Sequence, residues 1–207
     1  MAGSMSRADL VADLKAGLQD AANVFTAAAD GDFIRHLDAS ALDMGRVRPR
    51  TLLGEVTLVA DQAAYAAPAG MLMFKSALWG MKRPLPWEKT WPGRLPTGRA
   101  VEGATARELH LVPPPDATQI SVLGASYKFY YYAGHAISDT AASTTVQPGD
   151  RALLLLRAQA EAMKELAMRN SAKPVALRDG ISGSPRNGTP SYLFEALMQQ
   201  FDQQAVL

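Results

Sequence analysis

The residues best able to do chemistry in this chain are few and far apart. There are three histidines, His36, His110 and His135, and no cysteine. A zinc site needs His, Cys or carboxylate ligands in a short recurring motif, and none of the three histidines stands in one. His36 sits beside Phe33 and Leu37 in a helical pattern. His110 faces away from Leu109 and Leu111 in an alternating one, and His135 follows an aromatic run. The lack of cysteine removes disulfides and thiolate chemistry. A serine nucleophile would need the strained strand-turn-helix elbow Gly-x-Ser-x-Gly. "GASYK" and "GISGS" contain serine but match neither its setting nor its spacing. These residues predict a chain that is no enzyme, holds no metal and needs no cofactor.

One stretch invites a phosphate-binding reading: "RDGISGSPRNGTP", Arg178 to Pro190, with three glycines and two prolines. A P-loop places Lys and then Ser or Thr after its glycines, between a strand and a helix. Here lysine is missing and the preceding element is helical. A surface loop or an arm that orders against a partner fits better, since loops beyond about 12–15 residues are usually functional or disordered. We read it as a docking arm. Arg178, Arg186 and Asn187 carry donors for a partner's carboxylates or carbonyls, and Ile181 is its large apolar anchor.

A second candidate is the aromatic run Tyr127, Phe129, Tyr130, Tyr131, Tyr132, which could stack single-stranded bases. Aromatics also favour strands and fill cores. Alternation puts Tyr127, Phe129 and Tyr131 on one face and Lys128, Tyr130 and Tyr132 on the other. The core reading is preferred, with the strand expected to be covered on both sides.

The elements that must position these residues follow from periodicity. Leu10, Leu14, Leu18, Ala21 and Phe25 predict a helix from Ser6 to Ala29. Ser6 and Asp9 stand in capping-box positions, with Asp in place of the usual Glu. Phe33, Leu37 and Ala41 predict a second helix from Asp32 to Gly45, antiparallel to the first across a short connection. The period then changes. "LLGEVTLVA" reads as a strand, and "DQAAYAAP" closes a hairpin arm with Tyr65 and Pro68. "MLMFKSALWG" reads as another strand. Met81 to Pro96, with four prolines plus Trp87 and Trp91, is an extended loop. "RELHLVP" alternates as a strand, and "QISVLGASYKFYYYAGH" reads as a long strand or a hairpin bent at Gly124. Helix returns from Pro148 to Asn170, with Asp150 as its cap. Its stripe is Leu153, Leu156, Ala160, Met163 and Ala167, widened by Leu154 and Ala158, and Leu166 joins the buried set. Pro190 to Gln204 is the last helix, with Leu193, Leu197 and Phe201 on one face. The fold class is α+β: an N-terminal helix pair (6–45) and C-terminal helices (148–204, carrying the arm 178–190) packed with a small, mostly antiparallel sheet. We read one domain, with a β-rich insert at 51–135.

Bulk properties exclude little more. The 207 residues are 48% hydrophobic and 20% charged, with net charge +1. That suits a globular core and argues for neither nucleic acid nor a membrane surface. No signal peptide is expected, and apolar runs such as "ALLLL" fall far short of the roughly 20 residues a bilayer span needs. Met1 to Ser4, "MAGS", reads as a cloning scar outside the fold.

The order of these features resembles a known family. The N-terminal helices, "GEVTLVADQAAYAAP", the "YYYAGHA" strand, "LLLLRAQAEAMKELAMRN" and "TPSYLFEALMQQF" together resemble head-to-tail adaptor (connector) proteins of tailed bacteriophages. The likeness covers most of the chain and is diffuse, resting on element order and short phrases; the Pro/Trp loop, Met81 to Pro96, matches least. It implies a structural virion protein of the neck, made in the host cytoplasm. Such a protein forms a homo-oligomeric ring, a dodecamer in the family, beneath the portal protein. It extends the channel for phage DNA without sequence-specific contact and docks the next neck or tail component, with no membrane involved. Two other classes fit the residues. One is a stopper or tail-completion protein of the neck. The other is a small-ligand, carbohydrate-type binding module using the sheet with Trp79, Trp87 and Trp91.

Overall fold

A computed structural model describes residues 4–81, 83–170 and 189–205. The arm residues Arg178, Ile181, Arg186 and Asn187 lie outside the described residues. The fold is α+β. In chain order its elements are α1 (Arg7–Leu18), α2 (Gly31–Val47), β1 (Arg50–Thr57), β2 (Ala64–Ala66), β3 (Met71–Ala77), β4 (Thr97–Glu102), β5 (Arg107–Val112), α3 (Ala117–Leu123), β6 (Ser126–Ala133), α4 (Arg151–Asn170) and α5 (Pro190–Ala205). The chain divides into two compact units. A helical unit takes residues 1–48 and 135–207, and a β-rich unit takes 49–134.

In the helical unit α1 starts where Ser6 predicts, its hydroxyl accepting the Asp9 N–H at 3.2 Å. The reciprocal half of the capping box does not form. The Asp9 carboxylate takes the Ser4 hydroxyl instead, and Ser4 Oγ accepts the Ser6 N–H at 3.2 Å. Ser4 therefore belongs to the fold, against the expectation that the first four residues stand outside it. Its carbonyl also accepts from the buried Arg151. The helix ends at Leu18, well before Ala29. Gln19 adopts a left-handed φ of 50°, which breaks the α-helical ladder, and a 3₁₀ helix carries the chain on to Val24. Phe25 still reaches the core. In α2 the predicted stripe of Phe33, Leu37 and Ala41 is buried and continues through Met44. Gly45 is buried within the helix, which runs on to Val47.

α4 is the hub, in contact with α1, α2 and α5. Leu153, Met163 and Leu166 are buried, and Leu156 is half-buried. The stripe is rotated from the expected one. Leu154, Ala158 and Ala162, four residues apart on one face, are fully buried and face the cluster built on Leu10, Leu14 and Leu37. Asp150 is no side-chain cap: its carboxylate pairs with Arg48, and a short 3₁₀ turn over Pro148–Asp150 leads into the helix. In α5 Phe201 and Ala205 are buried, and Phe194, Leu197 and Met198 pack on the same core. Leu193 is exposed.

The β-rich unit holds two three-stranded antiparallel sheets, β1-β6-β3 and β2-β5-β4. The expected hairpin does not form. β1 pairs with β6, Gly54 opposite Phe129, whereas β2 pairs with β5, Tyr65 opposite Leu109. The turn between them is pinned by the Tyr65 hydroxyl, which accepts the Val59 N–H at 3.1 Å and donates to the Gln62 carbonyl at 3.1 Å. That turn carries the chain from one sheet to the other. "QISVLGASYKFYYYAGH" is not one strand either. Asp116 and Gln119 form a full capping box (2.7 and 3.2 Å) that starts α3, and Gly124 at φ 86° ends it. β4, "TGRAVE", was not legible as a strand. Its Gly98 lies against the Phe74 ring, where a Cβ would collide.

The core of this unit is Tyr127, Phe129 and Tyr131 of β6 with Met71, Leu109 and Leu111. Only this face of β6 is covered. Tyr130 is exposed beside the exposed Leu53 of β1, so the expectation of cover on both sides fails. An antiparallel sheet can leave one face in water, and here it does. The ends of the unit meet: Arg50 lies directly opposite Ala133. Just outside them, the His135 Nε2 lies 2.8 Å from the Arg48 carbonyl.

Candidate functional site

Two features could carry function: a network of ionised side chains in the helical unit, and the loop of 81–96 in the β-rich unit.

The network centres on Glu165 of α4. Its Oε2 lies 2.7 Å from the His36 Nε2 and 2.7 Å from Arg35, and its Oε1 pairs with Arg169. Arg35 also reaches Asp32 at 2.8 Å. Asp32 accepts the Ala27 N–H at 3.3 Å, and Arg169 lies over the Phe25 ring and donates to the Val24 carbonyl. Burial would raise the Glu165 carboxyl, but hydrogen bonds from His36, Arg35 and Arg169 outweigh it and bring it down to about 2. Glu165 is therefore a fixed anion. His36 is 1% exposed, and its Nδ1 has no partner among the described residues. With a carboxylate as its partner, Nε2 is the donor. The His36 ring is thus packed inside the helical unit against a carboxylate already held by two arginines.

The same holds elsewhere on α4. Arg157, buried, grips Asp43 at 2.6 and 2.7 Å, and Arg151 pairs with Asp13. Every described Lys and Arg of the helical unit pairs with a carboxylate. Some of these pairs join helices (Arg35 to Glu165, Arg151 to Asp13, Arg157 to Asp43), and others lie within one helix (Arg46 with Asp43, Lys164 with Glu161). Of the other two histidines, His110 meets Glu108 at 2.8 Å, and His135 sits between the carbonyls of Arg48 and Thr145. Among the described residues no group of three His, Asp or Glu could hold a metal ion. No described helix is long and apolar enough to cross a membrane.

The structure does not gather the stripe residues Leu153, Leu156, Met163 and Leu166 into a site; they serve the packing of α4. The aromatic run is divided, its Tyr127 hydroxyl buried and pushed up to about 12 by that burial.

The loop of 81–96 is anchored at its base and open at its tip. The buried Gln119 amide donates to the Pro92 and Arg94 carbonyls at 3.0 and 2.9 Å. The Trp79 indole, also buried, donates to the Gly124 carbonyl at 2.9 Å. Two successive turns shape the tip, Glu88 N–H to the Leu85 carbonyl (2.9 Å) and Trp91 N–H to the Glu88 carbonyl (3.0 Å). Trp87 is 78% exposed, with Leu85 and Trp91 also in solvent. Arg83, Lys89 and Arg94 are exposed, and none has an ion pair among the described residues. Sequence reasoning found this loop from its prolines but missed its anchor. The signal was there in "DATQ", whose Asp and Gln cap α3 and so place the Gln119 amide.

The charge of the chain divides with its units. The β-rich unit has nine Lys and Arg against six Asp and Glu, net +3, and only its Arg107 is ion-paired among the described residues. The helical unit has twelve against fourteen, net −2. It carries an open groove of about 420 Å³ lined by Leu18, Met163, Leu166, Pro190, Leu193 and Leu197 together with the polar Gln19 and Gln159.

Neither protein-family models nor the curated proteins give a match to this chain.

Proposed function

We propose that the chain is a structural subunit of the neck of a tailed bacteriophage: a head-to-tail adaptor that assembles as a ring below the portal protein, extends the DNA channel and docks the next neck or tail component. One observation carries the structural part of this reading. The buried and half-buried ion pairs of the helical unit, Glu165 with Arg35, Arg157 with Asp43 and Arg151 with Asp13, tie helices to one another, while the most prominent solvent-facing feature is a pre-shaped loop presenting Trp87, Leu85 and Trp91. Aromatic side chains on a pre-organised backbone are what protein interfaces use as anchors. The neck assignment rests on the resemblance of the element order and phrases given above, and the stopper position in the same neck is its nearest variant.

The test is the mass of the purified chain alone and with portal protein, read by light scattering and electron microscopy. A ring of this chain seated on the portal is expected. A chain that stays monomeric and leaves the portal bare refutes the adaptor reading. The exposure of Trp87 and Trp91 also favours a second reading, the carbohydrate-type binding module. Quenching of tryptophan fluorescence by a panel of oligosaccharides, lost in Trp87→Ala, would support that reading instead.

A further inference from the structure

We infer that the tip of the 81–96 loop of one copy seats in the α1/α4/α5 groove of the helical unit of a second copy, with Trp87 as the anchor. The inference deepens the ring reading and rests on it. It names the contact by which one subunit holds the next.

Four observations point to a second copy as the occupant. The first is charge. The loop presents Arg83, Lys89 and Arg94 without ion pairs among the described residues, in the unit of net +3. The groove belongs to the unit of net −2. Asp20, exposed and without an ion pair among the described residues, stands between the lining residues Gln19 and Ala21. Opposite patches of this kind set orientation and speed encounter. The second is size. A hollow of about 420 Å³ lies within the roughly 300–1,000 Å³ range of pockets that bury a ligand of several rings. Its walls set Leu18, Leu193 and Leu197 beside Gln19 and Gln159, apolar surface for an indole ring with polar groups alongside. The third is pre-organisation. The Gln119 clamp and the two tip turns fix the loop before it binds, so little backbone entropy is lost on docking. The fourth is symmetry. The loop and the groove are different surfaces of one chain, so each copy has one of each. Such a heterologous contact propagates from copy to copy, and closes as a ring when the rotation between neighbours divides a full turn.

A lipid surface fits the loop less well. Glu88 and Lys89, both exposed, adjoin Trp87 at the tip. Inserting the indole in an apolar layer would carry a carboxylate and an ammonium toward it unpaired, which is costly.

The chain has no cysteine, so single cysteines can be placed without background. Glu88→Cys keeps Trp87 and adds a thiol beside it; Leu193→Cys puts one on the groove wall. Both positions are exposed, and unchanged melting temperatures establish that the variants fold. The two variants are mixed and oxidised. The expected result is a mixed disulfide dimer forming at least about tenfold faster than from Leu193→Cys mixed with Leu42→Cys, an exposed control on α2. The rate should fall as salt rises from about 0.05 M to about 0.5 M. Adding Asp20→Lys to the Leu193→Cys partner should slow it, and adding Lys89→Glu to the other should restore it. A rate equal to the control overturns the inference. So does an intramolecular disulfide in the chain carrying both cysteines, which would put the loop in its own groove. Cosedimentation with anionic vesicles, lost in Trp87→Ala and without cross-linking, assigns the loop to a lipid surface and also overturns it. Rings on the portal without this cross-link would sink the contact and leave the adaptor reading standing. The cross-link without rings on the portal would do the reverse.

Discussion

Replacing Glu165 by Gln removes the anion on which His36, Arg35 and Arg169 converge, and the cost should depend on pH in a defined window. The carboxyl is held at about 2 against an ordinary value of 4.5. At about 1.4 kcal/mol for each tenfold change, that corresponds to roughly 3 kcal/mol of stability if fully realised. The Glu165 side chain is 23% exposed, and water screens part of the interaction, so about 1–2 kcal/mol is the expected loss near pH 7. The sign follows from the direction of the shift. A carboxyl depressed in the folded state contributes in full above its unfolded value. The contribution fades as pH falls from about 4.5 toward about 2. Urea denaturation of both proteins at a series of pH values measures it. The gap between wild type and Glu165→Gln should be widest at pH 6–7 and shrink below about pH 4.5. Curves that stay parallel from pH 7 to pH 3 would refute the reasoning, since the penalty would then come from packing and not from the charge.

Leu154→Ala, at a fully buried position, should cost about 2–5 kcal/mol, and the half-buried Leu156→Ala clearly less; equal losses in thermal melts would contradict the rotation of the α4 stripe. Gly98→Val, which drives a side chain into the Phe74 ring, should destabilise by about 1–3 kcal/mol, read by the urea midpoint. Gln119→Ala removes both donors from the loop base; faster proteolysis between 83 and 96 with a modest loss of stability is expected, and unchanged cleavage would show that the clamp does not hold the loop. Elemental analysis of the untagged chain is expected to find no stoichiometric zinc or manganese.

The helices were largely legible because each buries one stripe, and a spacing of three and four survives in Leu10, Leu14, Phe33 and Leu37 whatever packs against it. Their ends were less so. Gln19 ends α1 through a backbone conformation that its side chain does not announce. Leu154 and Leu156 both fit a helical face in a run of four leucines, and only the neighbours decide which points inward. The strands of strongest alternation, β5 and β6, were visible, but their pairing was not. A strand records which of its faces is apolar and says little about its partner, so β1 and β2 looked like a hairpin although each joins a different sheet. β4 escaped because Gly98 and Arg99 break its apolar pattern, glycine being needed there for the Phe74 ring. Of the candidate site, the tryptophans and prolines could be read directly. The ion network could not, since Asp32, His36 and Glu165 come from helices separated by more than a hundred residues.

The side-by-side ends of the β-rich unit bear on how this chain can be taken apart. Arg50 and Ala133 are cross-strand neighbours, so their Cα atoms stand about 4.5–5.5 Å apart. On the helical side Arg48 is fixed by Asp150 and by the Gln204 and Ala205 carbonyls, and its own carbonyl meets His135. A segment that leaves and re-enters a fold at one point behaves as a cassette. Removal of residues 49–134 with the gap bridged by a two- or three-residue turn, and circularisation of the cassette through its own ends, are the two designs this geometry predicts to fold, each read by a cooperative melt. The helices and the sheets, each built around a separate hydrophobic cluster, could then be diversified or swapped between related chains one at a time.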